Sequence, residues 1–66
     1  MNVDKQKFML LMANKQISLL DLSKDSGVSS TTICRIQRGE GSCKPATVGK
    51  IAKALNCDVK ELLGDW

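Results

Sequence analysis

The stretch 17–39, ISLLDLSKDSGVSSTTICRIQRG, decides how this chain is read. It divides into two short helices about a glycine corner. Ile17 and Ser18 open the first helix, Gly27 and Val28 make the corner, and Ser29 opens the second. In the second helix Ile33 and Ile36 are spaced as a core pair. Ser30, Thr31, Cys34, Arg35 and Arg38 fall on the outer face. Two helices at a tight corner, the second polar and basic outside, form the geometry by which a small domain places side chains in a DNA major groove.

The way these helices start recurs along the chain. An apolar residue precedes a Ser or Asp, and a second apolar residue follows five positions after the first. Ile17–Ser18–Leu22, Val28–Ser29–Ile33, Cys57–Asp58–Leu62 and Val3–Asp4–Phe8 all fit. In each, the cap oxygen can accept from first-turn amides that have no partner within the helix, and the apolar pair staples the incoming chain. Asp21 and Glu61 sit where a capping box needs an acid, Asp21 in a weaker form. Lys7 stands where an acid is preferred, which makes the first start the least secure. A fifth helix opens near Pro45, because proline suits the first helical turn. Val48, Ile51, Ala52 and Leu55 then form one apolar stripe. Asn56 is placed to end that helix in a left-handed conformation. The spacing predicts helices near 4–15, 19–26, 30–38, 46–55 and 59–64, an all-α five-helix bundle, and no strand pattern competes.

The 66 residues fit one domain covering 1–66. A hydrophobic content of 42% is too high for a disordered chain. With one Trp, one Phe and no Tyr, the sequence leans to helices over a sheet. The longest apolar run, 8–13, is too short to span a membrane and lacks a signal-peptide cleavage site. A soluble, cytoplasmic protein is expected. Cys34, Cys43 and Cys57 form no C-x-x-C pair, and there is no histidine, so a four-ligand zinc site has no candidate set. No histidine and no carboxylate pair on an obvious cleft also argue against an enzyme. No metal and no cofactor are expected.

The net charge of +3 is unevenly spread. Segment 1–16 carries three lysines against one aspartate, and segment 30–45 carries Arg35, Arg38 and Lys44 against Glu40. Both arginines fall in the second helix of the corner motif, which suits a polyanionic partner.

In order along the chain, Leu22-Ser23, Gly27-Val28-Ser29, Ile33 to Gly39, Pro45, Thr47-Val48, Ile51 to Leu55 and Leu62-Leu63 resemble the helix-turn-helix domains of the Cro and phage-repressor type. The resemblance covers nearly the whole chain. It implies sequence-specific binding to double-stranded DNA, usually as a dimer and usually for transcriptional control. By position it implies base contacts from Ser30, Thr31 and Arg35, and phosphate contacts from Ser29, Arg38 and Lys44. An Arg fork can pair with guanine O6 and N7. The chain departs from the family in three places. Leu19 stands where a phosphate-binding Gln is common. Met12 and Gln37 replace a buried Arg–Glu pair. Met9, Leu10 and Ala13 place apolar side chains on the normally polar face of the first helix.

Further readings complete the picture. Cys57 reads as a small core residue, and Cys34 as a filler on the outer face, with oxidative blocking of DNA as its alternative. Met9, Leu10, Val59 and Trp66 form a candidate partner surface. A regulator, repressor more than activator, is therefore set beside a protein-interaction or antitoxin-like module using the apolar face of helix 1. The small spare apolar area predicts a monomer or weak homodimer, completed on DNA.

Overall fold

The computed structural model describes residues 1–40 and 43–64. Four α-helices follow one another: α1 (Lys5–Lys15), α2 (Leu19–Ser26), α3 (Ser30–Gln37) and α4 (Pro45–Ala54). A single 3-10 turn, Val59–Glu61, comes last. The expected fifth helix is thus corrected to one turn. Its start is present: the Asp58 amide donates to Glu61 Oε2 at 2.8 Å, completing a capping box. Its continuation is pre-empted. Leu63 forms an isolated antiparallel bridge with Val3, the Asp4 amide donates to the Leu62 carbonyl, and the Gly64 amide donates to the Asn2 carbonyl. A helix through 62–64 would forfeit all three contacts.

The other starts sit where the caps place them. Asp4 Oδ1 accepts from the amides of Gln6 and Lys7, Ser18 Oγ from Asp21, and Ser29 Oγ from Thr32. Lys7, where an acid is preferred, has a distant partner. Its Nζ donates to the Leu63 carbonyl at 3.0 Å, so the residue ties the first helix to the last turn.

Three helices end alike. At α1 the amides of Gln16 and Ile17 donate to the carbonyls of Ala13 and Met12. At α3, Gly39 and Glu40 donate to Ile36 and Arg35; at α4, Asn56 and Cys57 donate to Lys53 and Ala52. This paired pattern is the Schellman motif, and it needs a left-handed residue at the turn. Gln16, Gly39 and Asn56 supply it, at φ 55°, 77° and 54°. Asn56 takes the conformation expected of it.

The core is the set Phe8, Leu22, Val28, Ile33, Ile36, Val48, Ile51, Ala52, Leu55, Leu62 and Leu63, drawn from all four helices, the corner after α2 and the residues that follow α4 and the 3-10 turn. Helix α2 packs on both α3 and α4, and α1 packs on α3. Among the described residues no polar or charged side chain is buried. Met12 and Leu19 lie half-buried against the core and Gln37 is exposed. Neither Met12 nor Gln37 therefore places an unpaired charge in the core, which would be costly.

Candidate nucleic-acid interface

The corner between α2 and α3 sets how α3 is presented. Gly27 leaves α2 with φ 74° and ψ 10°, and its amide donates to the Ser23 carbonyl. Ser23 Oγ donates to the Val28 carbonyl at 2.6 Å, and Ser26 Oγ accepts from the Val28 amide at 3.2 Å. Val28 itself is buried. The corner is thus held by two serine side chains and one anchored valine. The α3 axis follows from local bonds as well as from packing.

Helix α3 is split lengthwise. Ile33 and Ile36 are buried, at 0% and 3% exposure. Thr31 and Arg35, one turn apart, are both exposed. Ser30 and Cys34 lie beside them, half-buried. Ser29 Oγ both caps the helix and donates to Thr32 Oγ1 at 3.0 Å. Its hydroxyl already has two local partners.

Beyond α3 the chain turns at Gly39 and reaches α4. Arg38 is exposed, with Nε 3.1 Å from Glu40 Oε2. Lys44, also exposed, precedes α4 and gives it no side-chain cap. Thr32, Arg35, Glu40, Cys43, Lys44 and Thr47 line one open groove between α3 and the start of α4. The fold thus brings together Arg35 and Lys44, nine positions apart in sequence.

Glu40 and Thr47 share this groove, and sequence reasoning did not select either. No local pattern marks them; their place follows from the Gly39 turn. The Lys5 side chain also passes Gly39, with Cδ 3.3 Å from where a β-carbon would stand there.

The candidate partner surface separates into parts. Met9 and Leu10 are 48% and 64% exposed, and with Gln6 they line a shallow apolar hollow. Val59 is half-buried and packs on the core, so part of it is already committed. Trp66 lies outside the described residues. Leu20, 72% exposed at the start of α2, is a further apolar group that the sequence reading passed over.

The thiols differ in setting. Burial pushes the Cys57 thiol above its usual pKa, and the nearby carboxylates of Glu61 and Asp58 add to the effect. Cys34 and Cys43 are free and half-buried. Among the described residues no cluster could hold a metal ion. No helix there is long and apolar enough to cross a membrane.

The arrangement is a short helix anchored in the core by Ile33 and Ile36, with exposed Thr31 and Arg35 and two further cations at its far end. The family model of the Cro/C1-type HTH DNA-binding domain matches residues 7–65, which includes every element of this surface. The chain belongs to that family.

Solved structures agree. The restriction-modification controller protein C.AhdI from Aeromonas hydrophila aligns at TM-score 0.82 and 25% identity, covering 89% of each chain. The HEPD of Streptomyces albus, solved with 2-hydroxyethylphosphonate and Fe(II), aligns at TM-score 0.81 and 22% identity. That match covers 89% of this chain and 13% of the enzyme, and it is a likeness of fold alone. None of the curated proteins matches. The two helices of the corner, α2 and α3, both lie within the matched residues.

Proposed function

We propose that this chain is a cytoplasmic, sequence-specific regulator of transcription that binds double-stranded DNA through one helix-turn-helix domain and acts as a repressor by occupying its operator. The observation that carries this is the lengthwise division of α3. Its isoleucines are sealed in the core while Thr31 and Arg35 stand exposed one turn apart. Ser30, Thr31 and Arg35 are assigned to base edges, where the Arg35 fork suits guanine. Ser29, Arg38 and Lys44 are assigned to phosphates, with Ser29 the weakest because its hydroxyl is already engaged. Likeness to a controller protein supports the regulatory role. The function needs no cofactor and no catalytic step.

One domain reads one half-site. Two copies related by a two-fold axis would read half-sites about 34 Å apart, one DNA turn. Among the described residues the exposed large apolar groups are Met9, Leu10 and Leu20, a small area, and on this reading the free protein is a monomer or weak dimer that pairs on a palindromic operator. Selection of bound sites from random duplexes tests the whole reading. The expected product is one palindromic consensus. Recovery of unselected sequence would reject specific recognition.

A second reading draws on the exposed Met9 and Leu10 hollow: an antitoxin-like or protein-interaction module that uses the α1 face. Met9→Lys with Leu10→Lys would abolish partner binding on that reading. On the DNA reading it would leave half-site affinity intact.

A further inference from the structure

We propose that Glu40 is an internal stand-in for phosphate: it holds the Arg38 guanidinium in the free protein and gives it up to duplex DNA. It thereby lowers affinity for every sequence alike. This rests on the DNA reading of α3 and α4. The contact is Arg38 Nε to Glu40 Oε2 at 3.1 Å, with the two side chains 62% and 56% exposed. A carboxylate and a phosphate make the same demand on a guanidinium, namely oxygens placed to accept its N–H groups. Both cannot take the Nε donor together.

The pairing has a backbone cause. The Glu40 amide donates to the Arg35 carbonyl at 2.9 Å, and Gly39 turns at φ 77°. This closes the Schellman turn and returns residue 40 toward the end of α3, beside Arg38. The sign of the effect follows from where Glu40 stands. A carboxylate behind Arg38 would brace it for DNA. Glu40 instead lines the open groove together with Arg35 and Lys44. It lies among the cations, where DNA oxygens would come, and its own charge opposes them. Among the described residues that line this groove it is the one carboxylate. An exposed pair is also cheap to break, at no more than about a fivefold change in an equilibrium. Glu40 therefore tunes the interface without closing it.

The test compares wild type, Glu40→Gln, Arg38→Ala and the double variant. Each is titrated with the selected operator and with a scrambled duplex across a salt series. The backbone amide spectrum checks that each is folded. The Arg38 Nε–Hε resonance is recorded in each DNA-free protein that keeps Arg38.

Glu40→Gln is expected to tighten both duplexes by the same factor, up to about fivefold per domain at low salt, and to steepen the salt slope by about one counterion per domain. The gain should shrink in the Arg38→Ala background, and the Hε resonance should move without DNA. Unchanged or weaker binding by Glu40→Gln overturns the proposal. So does an equal gain in both backgrounds, or an unmoved Hε resonance. A wild type that binds neither duplex overturns the DNA reading and this proposal with it. A wild type that binds, with no response to Glu40→Gln, overturns this proposal alone.

Discussion

Replacing Gly27 tests the corner on which the presentation of α3 depends. The residue sits at φ 74°, and a β-carbon built there meets nothing within 4 Å. Steric crowding by neighbours is thus absent, and the cost of Gly27→Ala is the torsional one. A left-handed L-residue is disfavoured by about 1–2 kcal/mol. A domain of this size loses about 4–8 °C of Tm per kcal/mol. Gly27→Ala should therefore melt about 5–15 °C below the parent. Gly27→Val should fall further, since a β-branched residue resists positive φ more strongly. Gly27→Asn should lose least, because asparagine visits this region readily. Thermal unfolding followed by circular dichroism gives the ranking directly. An alanine variant with the parent's Tm would refute the reasoning, as would an asparagine variant as damaged as valine. Gly39→Ala provides a comparison. It carries the same torsional cost at φ 77°, plus a 3.3 Å approach to Lys5 Cδ that a flexible side chain can relieve.

Other expectations follow from single residues. Arg35→Ala should weaken operator binding by about 1–3 kcal/mol and relax preference at one base position; equal loss on every duplex would show that Arg35 holds phosphate instead. Lys44→Ala should weaken all duplexes alike and lower the salt slope by about one counterion per domain, and an unchanged slope would remove it from the interface. Gln16→Gly should stabilise by up to about 1 kcal/mol, because Gln16 occupies a left-handed position at φ 55°; a lower Tm would contradict this. Cys57 should be alkylated more slowly than an unstructured thiol. Its folded pKa is raised, so the unfolded chain loses the proton first. That contribution to stability is intact below the ordinary thiol range near about 8.5 and is lost as pH rises through the folded value. Equal alkylation rates, or stability that climbs across that range, would count against it.

Much of the fold was legible because its signals are local. Asp4, Ser18, Ser29 and Asp58 all cap where the sequence placed them. The buried faces of α3 and α4 follow the helical period. Gly27 and Asn56 announced their left-handed turns, but Gln16 did not, since glutamine carries no preference for one. What stayed hidden depends on distant partners. The 59–64 segment has a good helix start, and only its pairing with Val3 and Asn2 shows why one turn suffices. Lys7 looked misplaced until the Leu63 carbonyl came beside it. In the interface, the exposure of Thr31 and Arg35 was readable from periodicity alone. The Arg38–Glu40 pair, and the groove joining Arg35 to Lys44 and Thr47, exist only once the Gly39 turn folds α3 toward α4.

The most direct measurement of the central claim is the salt dependence of binding to the selected operator, set against a scrambled duplex. Arg38 and Lys44 at each of two half-sites suggest about four counterions released, a log–log slope near −3.6, and a loss of about 100-fold in affinity from about 50 to 200 mM salt. The account predicts that slope, with the operator preferred over the scrambled duplex by about 1,000-fold or more at fixed salt. A flat salt response, or equal affinity for the two duplexes, would contradict it.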